Sequence, residues 1–212
     1  MKINSLLLTD SYKISHHYMY PKGTEKVYSN MTDRSDKYAP AICKDKGVLV
    51  VGTQMTFKWL HNHFEENFFM TKRRKELNEM GKLPGFQQVM YGAEVIKLKQ
   101  SIIEPLKRKL DNYIGGDYDV SRFEALWDLG YLPIDVRALE EGTICPIRVP
   151  MLTVHNTLPE FFWVPNYLET ILSQLLWKPM TSATIALGYK KIISSWALKT
   201  TGESNIDFLA HD

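Results

Sequence analysis

Cysteine is nearly missing from this chain, with two in 212 residues. That excludes a disulfide framework and a structural zinc site built on cysteine. Cys43 and Cys145 fit a reducing compartment, where lone cysteines are usually small core residues. Charge of one sign is missing too: 26 Lys and Arg stand against 24 Asp and Glu, a net charge of +2. A dedicated nucleic-acid binder would carry a stronger basic excess, so no nucleic-acid partner is expected. No apolar run reaches the roughly 18 residues that would span a membrane. The run Leu6-Leu7-Leu8 stops at Thr9-Asp10, too short for a signal-peptide core, so the expected location is the cytoplasm, with no membrane partner. The glycine-rich phosphate loop, the dinucleotide fingerprint, the HExxH zinc helix and the nucleophile elbow are all absent. What is present is a globular composition, 44% hydrophobic and 24% charged, which excludes global disorder. The chain is long enough to bury a core without staples.

The organisation is mixed. A turn at Pro21-Lys22-Gly23 leads into a strand over residues 24–32. Residues 33–46 are polar and read as a loop. Residues 47–52, apolar between two glycines, read as a buried strand. Aromatic and aliphatic residues at Phe57, Leu60, Phe64 and Phe68 predict a helix, a turn near Met70-Thr71, and a second helix. Two capping boxes follow, Ser101 to Glu104 and Ser121 to Glu124. The first stands against the alternative that a helix already runs through it from Glu94. Residues 131–156 read as a compact antiparallel β unit, broken by Pro146 and Pro150. A helix over residues 160–176 follows, with Phe161, Val164, Leu168, Ile171, Leu172 and Leu175 on its apolar face. Pro179 is expected to break the chain. A last helix then starts at Thr181 or Ser182, turns Ile185, Tyr189, Ile192, Ile193 and Trp196 inward, and ends near Gly202. Residues 205–210 read as a strand. The fold class is α+β.

Candidate ligating groups are few. His61 and His63 lie two apart on a helix, so both rings cannot easily reach one metal ion, and a surface role is expected. The basic clusters Lys72 to Lys75 and Lys107 to Lys109 read as solvated helix faces. Trp59, Trp163 and Trp196 at helical positions read as core. One segment, residues 9–21, is crowded with polar and aromatic groups where a plain tail or amphipathic helix is expected.

That segment carries a resemblance. The run from Leu7 to Lys13, with His16, Tyr20-Pro21 and Lys26 to Ser29, closely resembles the start of nicotinamide phosphoribosyltransferase. Further stretches agree in order: Leu132 to Gly142, Leu152 to Glu160, Trp163 to Leu172, Trp177 to Thr184, and finally His211-Asp212, the opening of the family's His-Asp-Phe-Gly motif. Residues 33–125 carry the least of it. The nicotinate-specific relative is the alternative within enzymes, and a non-catalytic dimerisation or binding module is the alternative outside them.

The resemblance implies transfer of phosphoribosyl from 5-phosphoribosyl pyrophosphate (PRPP) to nicotinamide, giving nicotinamide mononucleotide and pyrophosphate with Mg²⁺ assisting, a salvage step toward NAD. It implies the N-terminal mixed α/β region of a type II phosphoribosyltransferase over residues 1–204, with residues 205–212 the first strand of an α/β barrel left incomplete. It implies a homodimer, or completion by a second polypeptide, with the active site at the interface. Tyr12 would stack on the nicotinamide ring, Asp10 would set polarity near the base, and Arg34 would contact a substrate phosphate. The second stacking aromatic and the remaining base and phosphate readers follow the His-Asp pair in the family. No catalytic residue and no metal ligand is therefore expected in this portion. The expectation is a split enzyme, a truncated product or a section of a longer chain, inactive alone.

Overall fold

The computed structural model describes residues 4–44, 46–82 and 86–203, with the backbone alone at 86–89. In chain order the elements are α1 Lys13–His16, β1 Tyr28–Thr32, β2 Val48–Leu49, α2 Thr53–Asn67, α3 Thr71–Met80, α4 Phe86–Ile114, α5 Ser121–Leu129, β3 Ile134–Ala138, β4 Ile144–Cys145, β5 Pro150–Asn156, α6 Val164–Tyr167 and α7 Glu169–Thr201. Helices with small sheets make an α+β protein, as the sequence predicts. The strand expected over residues 205–210 lies outside the described residues. The chain divides into two compact units, the first of Met1–Val27, Phe57–Asp135 and Asn156–Thr170, the second of Tyr28–Thr56, Val136–His155 and Ile171–Asp212.

The first unit is helical. Leu60 and Phe64 of α2 are buried, and Phe68 and Phe69 follow them into the core, with Phe64 and Phe68 meeting edge-on at 6.0 Å. The chain turns into α3 at Met70, whose φ of 51° is left-handed. Helix α4 runs unbroken through Ser101, whose hydroxyl donates back to the Leu98 carbonyl at 2.7 Å. The first capping box is therefore not a start. Ile103, Leu106 and Leu110 continue one buried stripe, and that periodicity outweighs the local cap signal. The second box also shifts: Ser121 is already helical, and Asp119 caps it by accepting from the Ser121 N–H at 2.9 Å.

Helix α5 buries Phe123, Leu126 and Trp127 and ends at Gly130, whose φ is 83°. A Cβ at Gly130 would meet the Arg74 guanidinium at 3.1 Å. Arg74 is not on a solvated face, contrary to the sequence reading. It donates to the Trp127 carbonyl at 2.7 Å and lies 4.0 Å over the Trp127 ring. Burial lowers its pKa, while Asp128 and Glu65 oppose that shift.

In the second unit, strand β5 is central, in the order β1-β5-β3. It pairs antiparallel with β1, from Tyr28 opposite His155 to Met31 opposite Leu152, with an irregularity before Thr32. On its other side the Leu139 N–H bonds the Met151 carbonyl at 2.9 Å. The expected β unit over 131–156 is thus split. Strand β4 leaves it and pairs with β2, Val48 opposite Cys145. Pro146 follows β4 directly and has no N–H to continue a ladder. Gly47 makes the pairing possible, because a Cβ there would sit 2.4 Å from the Cys145 carbonyl oxygen. Both cysteines are free and buried.

Of the expected face, Phe161, Val164, Leu168, Ile171 and Leu172 are buried and Leu175 is half-buried, and a 3-10 turn and short α6 carry its first part. The expected break at Pro179 does not occur, and α7 passes through it as one helix of 33 residues. Leu172, Leu176 and Met180, four apart, are buried on both sides of the proline. Their burial, at about 1.5–3 kcal/mol each, exceeds the roughly 3 kcal/mol that an interior proline costs. Thr184 locks the next turn by accepting from the Leu49 N–H at 2.8 Å. Beyond it the inward reading fails. Tyr189, Ile192 and Trp196 are exposed, Trp196 at 61%. Trp59 is likewise partly exposed and stacks on His63, ring centroids 4.6 Å apart, while Trp163 is buried as expected.

Candidate functional site

Residues 9–20 form no single amphipathic helix. They run through α1 and a 3-10 turn over His17–Met19, and side chains from α5, α6 and α7 hold them at almost every step. The Thr9 hydroxyl donates to the Tyr167 carbonyl at 2.9 Å. Thr170 accepts from the Asp10 N–H at 3.1 Å and donates to the Asp10 carboxylate at 2.8 Å. Lys13 is 4% exposed and ion-paired with Glu169. The Ile14 carbonyl accepts twice, from the Tyr118 hydroxyl at 2.7 Å and from Arg122 Nη2 at 2.9 Å. Tyr20 bonds the Asn166 amide and packs edge-on against Phe162.

Tyr12 is what this clamp presents. Tyr12 is 52% exposed, with the His16 ring and the Lys13 ammonium each 5.1 Å from its ring centroid. An exposed aromatic face on an immobilised backbone can stack on a flat ligand with little ordering entropy to lose. Asp10, two residues earlier, is also exposed, with its carboxylate oriented by Thr170.

Arg122 is the residue the sequence reading missed. Its guanidinium sits among the rings of Phe123, Trp163, Tyr118 and Tyr167, at 4.5, 5.1, 5.4 and 5.9 Å. Burial pulls its pKa down to about 10, so it remains a cation at neutral pH. Burial pushes the Tyr118 and Tyr167 phenols up, so both stay neutral donors, and Tyr167 uses its proton on the Leu6 carbonyl at 2.6 Å. Arg122 lies inside a stretch that reads as a capping box, and that reading drew attention to Ser121 and Glu124 instead.

Arg34, the other expected binding residue, lies in the second unit. It lines an open cleft of about 570 Å³ together with Lys46, Arg148, Asp36 and Gly47. Arg148 has a left-handed backbone, φ 68°, held by its N–H donating to the Asp33 carbonyl at 2.9 Å. Burial raises the pKa of Asp33 itself. Among the described residues no group of three or more His, Cys, Asp or Glu is placed to hold a metal ion. His63, far from pairing with His61, bonds Asn67 on its own helix. Among the described residues no helix is long and apolar enough to cross a membrane.

Comparison with known proteins gives these features a family. Residues 4–84 match the profile of the nicotinamide phosphoribosyltransferase N-terminal domain. A nicotinamide phosphoribosyltransferase of Acinetobacter baylyi is 37% identical over 215 residues, which takes in 100% of this chain and 37% of that protein. One of Xanthomonas campestris pv. campestris is 27% identical over 99% of this chain and 36% of its own length. One of Mycoplasma genitalium is 25% identical over 99% of this chain and 43% of its own length. The chain thus spans well under half the length of these relatives. The matches are to nicotinamide phosphoribosyltransferases over the whole chain, and the profile matched at residues 4–84 is that of their N-terminal domain.

Proposed function

We propose that this chain supplies the N-terminal part of an enzyme that transfers phosphoribosyl from PRPP to nicotinamide, giving nicotinamide mononucleotide and pyrophosphate for NAD salvage. The observation that carries the reading is the half-exposed Tyr12 ring on a backbone pinned by Thr170, Glu169, Tyr118 and Arg122. In the reaction a bond forms between the nicotinamide ring nitrogen and the anomeric carbon, and the bond from that carbon to the pyrophosphate oxygen breaks. Positive charge builds on the sugar and then on the pyridinium. Tyr12 stacks on the flat base and, after transfer, on its cationic form, where the ring face adds attraction. Asp10 sets a negative potential beside the base, and Arg34 binds a phosphate of the donor.

In this proposal the chain is the mixed region of a type II phosphoribosyltransferase that leads into an α/β barrel, and the enzyme works as a homodimer. The exposed stripe Tyr189, Ile192 and Trp196 on α7 is the kind of apolar face that a second subunit covers. Mg²⁺ assists through groups other than the described residues. The test is formation of nicotinamide mononucleotide and pyrophosphate from nicotinamide and PRPP by a protein carrying this chain, with nicotinate offered in competition. Product from nicotinate alone, or from neither base, would overturn the proposal.

A further inference from the structure

We propose that a pocket between the N-terminal turn, the end of α2 and the middle of α4 binds a small organic cation, a primary ammonium carried on one apolar ring or short chain. The pocket lies wholly within the first unit and has a volume of about 260 Å³. That is just under the roughly 300–1,000 Å³ of small-ligand sites, so its occupant is about the size of one ring with a head group. Leu7, Met70, Ile102 and Leu106 give it apolar walls, together with the Pro105 ring. It shares no residue with the Tyr12 segment or the Arg34 cleft.

The polar side of the pocket is rich in acceptors. Pro105 sits inside α4 and has no N–H, so the Ser101 carbonyl, four residues back, lacks its helical donor. Ser101 and Pro105 both line the pocket. The next carbonyl, that of Ile102, already takes a donor from outside the helix, the Asn4 side-chain amide at 3.3 Å. This turn of α4 is therefore open to donors on its N-terminal-segment side, and Asn4 occupies one of two adjacent acceptors.

Glu66 adds the charge. It is exposed and lies in the last turn of α2, which holds Glu65 and Glu66 and no basic residue. A carboxylate there sits at the negative end of the helix dipole, an unfavourable place that a cation relieves. Among the described residues Glu66 forms no ion pair. Its charge acts on His63, but burial lowers that ring's pKa below the ordinary 6.5, so the ring is neutral at pH 7. Lys109 lines the same pocket and is exposed, on a stem long enough to keep its ammonium in water. A bound ammonium has the Glu66 carboxylate and the Ser101 carbonyl to donate to, and apolar walls for its body. A ligand carboxylate would meet like charge at Glu66 and a carbonyl that cannot donate to it, with Lys109 alone in its favour.

The experiment is calorimetric titration of a protein carrying this chain with cyclohexylamine, cyclohexanol and cyclohexanecarboxylate, three probes of one shape, at neutral pH and low ionic strength. The amine should bind several-fold more tightly than the alcohol, and the carboxylate more weakly than either. Glu66→Gln should weaken the amine about tenfold, the loss of one charge-assisted contact, and leave the alcohol unchanged. Pro105→Ala is the decisive variant, because it supplies the missing N–H to the Ser101 carbonyl and suits a helix interior better than proline. It should melt no lower than wild type and still bind the amine several-fold more weakly. Lys109→Ala should bind the amine at least as tightly as wild type. The alcohol or the carboxylate binding as well as the amine, or amine affinity unchanged in Glu66→Gln or in Pro105→Ala, overturns the inference.

Discussion

Replacing Arg122 by methionine separates what holds the protein together from what holds the Tyr12 segment in place. The side chain donates to the Ile14 carbonyl at 2.9 Å and also bonds the Tyr118 hydroxyl. Hydrogen bonds from a charged donor contribute about 1.5–3 kcal/mol each, so two contribute about 3–6 kcal/mol. Against this stands the burial of the cation. Burial pulls its pKa down from the usual arginine range to about 10, which corresponds to about 3–4 kcal/mol at about 1.4 kcal/mol per pH unit. The two effects nearly cancel. Methionine keeps a stem to pack against the four rings, so global stability should drop by only about 1–2 kcal/mol. The local effect is larger, since α1 loses a tether on the Ile14 carbonyl. Trypsin cleavage after Lys13, buried and ion-paired in the native chain, should become about tenfold faster. Arg122→Lys keeps the charge but not the planar fork, and should release the segment to a similar degree. Urea titration gives the global change and timed proteolysis the local one. The reasoning is refuted if Arg122→Met unfolds the whole chain, or if cleavage at Lys13 stays at the wild-type rate.

Other consequences follow from the same geometry. Tyr12→Ala should lower stability by about 1–2 kcal/mol, because its ring is half exposed, whereas Tyr167→Ala, buried and bonded to Leu6, should lose about 3–5 kcal/mol. Equal melting temperatures for the two would contradict the exposure argument. Glu141 caps α2, accepting from the Thr53 hydroxyl at 2.8 Å and the Gln54 N–H at 2.9 Å, and these bonds, that of the Gln54 N–H foremost, lower its pKa below the ordinary 4.5. A lowered carboxylate stabilises the fold above 4.5, and that contribution disappears as pH falls through its folded value. Glu141→Gln should therefore be less stable at neutral pH and show a flatter acid limb in melting experiments. Asp33 shows the opposite sign: burial raises its pKa above the ordinary 3.8, so its charge costs stability at neutral pH. Asp33→Asn should melt higher at pH 7, with the gain shrinking as pH falls through the raised value toward 3.8.

Much of the fold follows from hydrophobic spacing, and the departures have physical causes. The stripe from Phe161 to Leu172 and the turn at Met70 were legible because burial there follows the helical period. Pro179 and Ser101 misled because each is a local signal overruled by an apolar stripe that continues past it. Trp196 and Tyr189 carry the core period yet face outward, since a hydrophobic stripe says that something covers it but not what. Arg74 and Lys13 look like surface cations in sequence. Only the fold shows Trp127 and Glu169 waiting for them. Of the candidate site, the segment from Thr9 to Pro21 stood out by its unusual composition, and the resemblance to a family gave Tyr12, Asp10 and Arg34 their expected roles.

The central claim is that the clamped N-terminal segment offers Tyr12 to nicotinamide, and steady-state kinetics test it most directly. Nicotinamide mononucleotide formation should be followed in a protein carrying this chain, with nicotinamide varied at saturating PRPP, for wild type, Tyr12→Phe and Tyr12→Ala. Loss of one stacking face corresponds to about 0.5–1.5 kcal/mol beyond lost area, so the KM for nicotinamide should rise at least about two- to tenfold in Tyr12→Ala. It should stay near wild type in Tyr12→Phe, and the KM for PRPP should not move in either. A Tyr12→Ala protein with the wild-type KM for nicotinamide would contradict the account.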